Sequence, residues 1–223
     1  MIYFTSDIHG HLSLDWLSNE LSKIELTADD YLIILGDAGI VWDEKEHQEV
    51  KEFYDRLPCS TLFLDGNHEN FDLLDSFPVV ELFGGKVHRI TDKITHLLRG
   101  EIFMIDGKTF FVFGGGYSIK KKDGTSPVFI WDREMPNEAE YNNGLNKLRS
   151  VDNKVDYVIT HVAPTDIATR LGRGPIEEEK VLNDYLTGIS KNNKYSEWFF
   201  GHYHVDEDFG KFHSVYRKIR VLS

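Results

Sequence analysis

Tyr31-Leu32-Ile33-Ile34-Leu35-Gly36-Asp37 is the stretch on which the reading of this chain turns. Five apolar or aromatic residues in a row suit a strand buried on both faces, and a glycine and an aspartate follow at its C-terminal end. The same arrangement recurs four times. Ile2-Tyr3-Phe4-Thr5 runs into Asp7-Ile8-His9, and Thr61-Leu62-Phe63-Leu64 into Gly66-Asn67-His68-Glu69. Val155-Asp156-Tyr157-Val158-Ile159 leads to His161, and Trp198-Phe199-Phe200 to Gly201-His202-Tyr203-His204. Open α/β sheets hold their ligands beyond the C-terminal ends of their strands. The five polar clusters are therefore expected to meet at one edge and form a metal site.

Working outward, Leu14, Leu17, Leu21 and Ile24 recur at helical spacing after Ser13, a candidate N-cap. Val50, Phe53, Tyr54 and Leu57 repeat the pattern from Glu44 until Pro58 stops it, giving βαβαβ and a parallel sheet with right-handed crossovers. From Val87 to Phe113 the texture is β-rich, with Asp106-Gly107 marking a hairpin. Gly114-Gly115-Gly116 opens a polar surface loop through Trp131. Helical patterns return over residues 137–148, after Pro136, and over 176–189. Residues 209–222 alternate like strands and are expected to close a second, mixed sheet. The expectation is one domain over residues 1–223, with two layered sheets flanked by helices.

The net charge is −12, and residues 1–70 carry 15 acids against 4 bases. Such acidity lacks the cationic footprint of sequence-independent nucleic-acid binding, so extended duplexes are not expected as partners. The one cysteine, Cys59, has no partner for a bridge, and Met1 opens directly into a strand-like run without a signal peptide's basic and apolar regions. No stretch approaches about 18 consecutive apolar residues. These features predict a soluble cytoplasmic protein outside the membrane.

The clusters offer two aspartates, one asparagine and five histidines, without a thiolate. Mixed nitrogen and oxygen donors suit Mn²⁺, Fe or Zn²⁺, with Mn²⁺ foremost here, whereas Ca²⁺ would want oxygen almost throughout. Asp7 with His9, and His202 with His204, stand two apart just past a strand and can chelate.

In order and spacing these motifs resemble the calcineurin-like metallophosphoesterase superfamily: Asp-x-His, Gly-Asp, Gly-Asn-His-Glu, an isolated His and Gly-His-x-His. The match runs from Asp7 to His204. The resemblance implies an α/β fold, a four-layer α/β/β/α sandwich of two mixed sheets, with a two-metal centre. Carried over by motif, Asp7, His9 and His204 would hold one ion, Asn67, His161 and His202 the other, and Asp37 would bridge both. His68 would stay uncoordinated, as a catalytic group beside the substrate. The implied activity is hydrolysis of a small phosphate monoester or diester by a hydroxide bridging the metals.

The chain also departs from its relatives. The protein serine/threonine phosphatases extend Gly-Asp to Gly-Asp-x-x-Asp-Arg-Gly and place an arginine after Gly-Asn-His-Glu; here Ala38-Gly39-Ile40-Val41-Trp42 and Asn70 stand at those places. A phosphoprotein phosphatase is thereby disfavoured, as a nuclease is by charge. Arg133, Arg170 and Arg173 are left as candidates to grip the substrate. The rival from another class is a catalytically silent scaffold for protein partners, against which the intact ligand set and His68 both argue.

The remaining features take plainer readings. His11, His47, His88, His96 and His213 are read as satisfied core or surface groups. Gly114-Gly115-Gly116 lacks the lysine and helix of a phosphate loop. Cys59 reads as an inert packing residue, and Trp42, Trp131 and Trp198 as core rather than a base-stacking platform. Tyr203, between two expected ligands, is placed at the site rim.

Overall fold

The computed structural model describes residues 1–119, 130–174 and 176–222, with backbone alone for residues 44–47. The expected surface loop therefore lies largely outside the described residues, as does the side chain of His47. A first sheet begins with β1 (Ile2–Thr5), α1 (His11–Leu21), β2 (Tyr31–Leu35), α2 (Glu44–Arg56) and β3 (Ser60–Leu64). It continues through the single turn α3 (Phe71–Leu74), β4 (Val79–Leu82), β5 (Gly85–Arg89) and β6 (Ile94–Leu97). A second follows with β7 (Glu101–Ile105), β8 (Lys108–Phe113), α4 (Glu138–Ser150), β9 (Tyr157–Thr160), α5 (Thr165–Arg170), α6 (Lys180–Asn192) and β10 (Glu197–Phe200). β11 (Asp208–Phe209), β12 (Phe212–Ser214) and β13 (Arg220–Leu222) complete the chain.

The sheets run in the orders β13-β1-β2-β3-β6-β5-β4 and β11-β12-β10-β9-β8-β7. β1, β2, β3 and β6 are mutually parallel, as are β8, β9, β10 and β12, while outer strands pair antiparallel, so both sheets are mixed.

The period-2 alternation of buried strands sorts the core into three layers. Ile2, Phe4, Ile33, Leu35, Leu62 and Leu64 face Phe103, Phe110, Val112, Ile159 and Phe199 of the other sheet. Phe4 and Phe199 stack at 4.5 Å across that interface. The alternate residues Tyr3, Leu32, Ile34 and Phe63 pack under Leu17, Leu21, Val50 and Tyr54 of α1 and α2. Phe111, Val158, Trp198 and Phe200 pack under Leu148, Leu182, Leu186 and Ile189 of α4 and α6. The result is the expected α/β/β/α sandwich. Trp198 is fully buried, and its indole donates to Thr160 Oγ1 at 2.8 Å. Truncating it to alanine is a large-to-small change of the kind that costs about 3–5 kcal/mol.

Three local readings need correction. Helix α1 starts at His11 with Gly10 as its N-cap, and Ser13 is buried inside its first turn. Gly10 has φ 58° and its N–H bonds to Ala38 O at 3.1 Å, which fixes the entry to the helix three residues ahead of Ser13. The tail is divided: β12 joins the second sheet, but β13 pairs antiparallel with β1 in the first. Residues 215–219 between them are not strand, and Val215 turns into the inter-sheet core. Of the tryptophans named as core, Trp42 and Trp131 are only half-buried and meet edge to face at 5.7 Å. The Asp106-Gly107 hairpin stands as expected, with φ 49° and 72° at its two central residues, the sign a type I′ turn requires.

Candidate metal centre

The parallel strands β1, β2 and β3 in one sheet and β9 and β10 in the other end on the same side, and the five clusters meet there. The backbone is bent sharply to bring them in. Nine non-glycine residues among those described have positive φ, and five of them are Asp7, His9, Asp37, His202 and His204. Left-handed backbone at such residues costs of order 1–3 kcal/mol each and persists only where the surroundings enforce it. Here they do: Asp7 N–H bonds to Gly36 O at 3.1 Å and His9 N–H to Asp37 O at 2.8 Å.

The glycines of the motifs are needed for approach. A Cβ on Gly36 would lie 2.2 Å from His161 Nδ1, one on Gly66 2.0 Å from Asp37 Oδ1, and one on Gly201 1.8 Å from Ser6 Oγ. Each conserves contact between a backbone and the side chain of another cluster that any larger residue would break.

Asp37 lies at the middle. Its Oδ1 accepts the His68 N–H at 2.7 Å, while Oδ2 stands 3.7 Å from His9 Nε2 and 3.5 Å from His161 Nε2. On one side Asp7 Oδ1, His9 Nε2 and His204 Nε2 form a group whose ligand atoms all lie within 4.8 Å. On the other, Asn67 Oδ1 faces His161 Nε2 at 3.2 Å and His202 Nδ1 at 3.1 Å. All seven expected ligands are thus brought together. His68, half-buried, stands with its ring 5.4 Å from that of His9.

Lone pairs converge here with few protons between them. His161 Nδ1 lies 2.8 Å from Leu35 O, an acceptor, so its proton belongs on Nδ1 and Nε2 carries a lone pair. A carboxylate oxygen of Glu179 lies 3.3 Å from His202 Nε2, which favours the proton there and leaves Nδ1 bare. Asn67 turns its amide N–H₂ away, donating to Ser118 Oγ at 3.0 Å, so Oδ1 faces both rings. With those tautomers Asn67 Oδ1 faces a bare nitrogen at 3.2 Å and another at 3.1 Å, an arrangement that repels unless a cation lies among the three atoms. Asp7 Oδ1 tells the same story from the other side: it is buried and receives no hydrogen bond, since His204 Nε2 at 3.2 Å is not aligned to donate. The donor set therefore fits divalent cations.

Electrostatics agree. Burial would lift the Asp37 carboxyl, but His161 and His9 beside it overcome this and hold it far below the usual carboxylate range. His161 is raised in return, burial being outweighed by Asp37, so its ring competes for a proton at the position a cation would fill. The pocket is built around one firm negative charge and attracts positive charge to it. Glu69, fully buried, accepts Ala38 N–H at 2.8 Å and so braces the turn that carries Asp37; burial and then Asp37 push its carboxyl up.

Two cavities open from the cluster and share His68 and His204. One, of about 480 Å³, is lined by Asp37, Asn67, Tyr117, Arg173, Glu179 and His202. The other, of about 520 Å³, is lined by His9, Gly10, His11, Leu12, Gly39 and Trp42. Of the three arginines named from sequence, only Arg173 borders either. Arg170 is exposed on α5, and Arg133 is paired with Asp75 at 3.1 Å and Glu140 at 2.9 Å in a separate cavity. Tyr203 also lines the first cavity, from a mostly buried position: it is 5 % exposed, and its hydroxyl accepts the Ala163 N–H at 3.2 Å.

A family profile for calcineurin-like phosphoesterases matches residues 1–206. The chain belongs to that family. The family is one of phosphoesterases, and the clustered carboxylate, amide and imidazole groups are candidate metal ligands. Among solved structures, the chain resembles a Staphylococcus aureus protein named "putative 5′-nucleotidase", in complex with α-ketoglutarate. The TM-score is 0.50 at 16 % identity over 97 % of this chain and 48 % of that one. The chain thus spans about half the length of that protein, and the likeness is one of fold. A protein of unknown function from Aquifex aeolicus aligns with a TM-score of 0.39 at 18 % identity, over 86 % of this chain and 98 % of that one. No curated protein matches the chain.

Sequence reasoning missed Glu179, Ser118, Glu134 and Tyr216. Glu179 and Glu134 are buried, and Tyr216 stacks on the His204 ring at 4.6 Å with an interplanar angle of 1°. None carries a motif. The plainer histidine readings fit the geometry: His88 and His96 pair through Nδ1 at 3.1 Å, His96 reaches Asp65, and His213 meets Asp208 at 2.7 Å. Among the described residues no helix is long and apolar enough to cross a membrane.

Proposed function

We propose that the chain is a binuclear metal-dependent phosphoesterase acting on a small phosphate monoester or diester. The observation that carries the reading is the convergence of carboxylate, amide and imidazole donor atoms on both sides of Asp37. Asp7, His9 and His204 would hold one divalent ion, Asn67, His161 and His202 the other, and Asp37 Oδ2, facing both groups, would bridge them. Mn²⁺ is the favoured occupant, with Fe and Zn²⁺ compatible with the same nitrogen and oxygen set. Such a pair supplies Lewis-acid charge and an acidified water for in-line attack on phosphorus.

The chain's own groups do the rest. Asp37 is kept ionised by its histidine neighbours. His68 has its backbone fixed on Asp37 Oδ1 and its ring free between the two cavities. As imidazolium it would stabilise the phosphoryl oxygens or protonate the leaving group, worth about 10²- to 10⁴-fold for a positioned acid. Arg173 is the arginine at the mouth on the Glu179 side and the candidate to hold the phosphoryl group. On the other side, the bare peptides of Gly10 and Gly39 with Leu12 and Trp42 form a neutral, largely apolar wall suited to the ester's organic group.

Protein reconstituted with Mn²⁺ should hydrolyse p-nitrophenyl phosphate, its bis-ester or a nucleoside monophosphate, and EDTA should abolish the rate until metal is restored. Absence of turnover on all three with Mn²⁺, Fe²⁺ and Zn²⁺ would leave the scaffold as the better description.

A further inference from the structure

The segment Tyr117–Ser118 crosses the cluster between two buried carboxylates. Glu179, just before α6, accepts the Tyr117 N–H at 3.1 Å, and Glu134 accepts the Ser118 N–H at 3.0 Å and lies beside the Ser118 hydroxyl. Each carboxylate also reaches a candidate ligand. Glu179 Oε1 stands 3.3 Å from His202 Nε2, and Ser118 Oγ, held next to Glu134, takes the Asn67 amide N–H₂ at 3.0 Å. Both contacts act on the same three-donor group, and both act in the same sense: one keeps the His202 proton off Nδ1, the other keeps the Asn67 nitrogen out of the centre.

We infer that Glu179 and the Glu134–Ser118 pair are positioning residues that set cation affinity at the Asn67/His161/His202 half of the centre and at that half alone. The inference rests on the ligand assignment proposed above. The physical reason is that an amide or imidazole binds a cation only through the atom without hydrogen. A partner that fixes which atom faces inward removes the cost of reorienting the ligand and raises its basicity. Such outer partners are worth about 10- to 100-fold in metal affinity. Among the described residues the other half is braced less: the His202 backbone N–H holds Asp7 Oδ2 at 3.0 Å, but His204 is 46 % exposed and rests on the face of Tyr216.

Calorimetric titration with Mn²⁺ alone tests this, with thermal melts to confirm folding. Wild type should bind two ions. Glu179→Ala and Ser118→Ala should each weaken one of them about 10- to 100-fold and leave the other within twofold. Glu179→Gln keeps an oxygen acceptor and should recover part of the loss. A His204→Ala background, in which the other half is crippled, should show the full Glu179→Ala effect, whereas a His161→Ala background should show none. Should Glu179→Ala fail to fold, Ser118→Ala and Glu179→Gln still decide. Two ions bound by wild type with unchanged affinities in these variants overturns the inference while sparing the ligand assignment. Fewer than two ions bound by wild type overturns the assignment and the inference with it.

Discussion

The two halves of the centre share Asp37 but are built differently. The Asn67/His161/His202 half is roofed by the Tyr117–Ser118 segment, with His161 wholly buried and each donor's orientation set by a named partner. The Asp7/His9/His204 half lies at the mouth, with His204 nearly half exposed and an unbonded Asp7 oxygen beneath it. The lesson is that a carboxylate facing two groups of donors does not make the two groups equal. Rigid, buried donors are preorganised by packing, whereas exposed ones depend on the ion itself for their order.

The largest effect should come from removing what the halves share. Asp37→Ala should abolish binding of both ions by calorimetry and reduce kcat by more than about 10⁴-fold, beyond what loss of a single acid–base group explains. If one ion still binds with wild-type affinity, the bridging role fails and the halves are independent.

His68→Ala is next. It should lower kcat about 10²- to 10⁴-fold on p-nitrophenyl phosphate while both ions still bind. A full rate would remove His68 from the chemistry. The comparison itself is sharpened by pairing His161→Ala with His204→Ala. Each should cost one ion, but only His161→Ala, which opens a cavity in a fully buried region and strips Asp37 of its nearest ring partner, should also lower Tm by several degrees. Equal melting temperatures would show that the buried half is no more structural than the exposed one.

A smaller effect tests the stability of the neighbouring histidine pair away from the ligands. Burial, and then His96, hold His88 down to about 4. The folded chain therefore keeps it neutral while an unfolded chain takes up a proton near the ordinary 6.5. Its contribution is complete above pH 6.5 and is lost as pH falls toward 4. Urea midpoints measured across that range should decline in wild type and decline less in His88→Gln. Parallel profiles would show that other groups control the acid limb. The smallest expected change is at the mouth: Trp42→Ala should raise KM for p-nitrophenyl phosphate a few-fold with little change in metal binding.

The clustering of the candidate ligands was legible from the chain because its signals are local: an apolar run ends and a donor follows within three residues. The strands β1, β2, β3, β9 and β10 could be read the same way, since runs buried on both faces leave no ambiguity of period. The tail was not legible. Val215, Arg217, Ile219 and Val221 alternate as a strand does, yet β13 is only Arg220–Leu222 and pairs with β1, some 200 residues away in sequence. Ser13 looked like a helix cap by type, but the hydrogen bond from Gly10 to Ala38 moved the start.

What the amino-acid order determined by itself was the inventory of donors, the parallel strands that carry them, and the family to which they belong, because each is written in neighbouring residues. What only the tertiary structure decided was orientation. Glu179, Ser118, Glu134 and Leu35 choose which atom of each candidate ligand faces inward, and no periodicity announces a carboxylate that works through a contact across 16 or more positions of chain. Proton placement on a ring or an amide depends on partners within about 3 Å, and those distances exist only once the two sheets have packed.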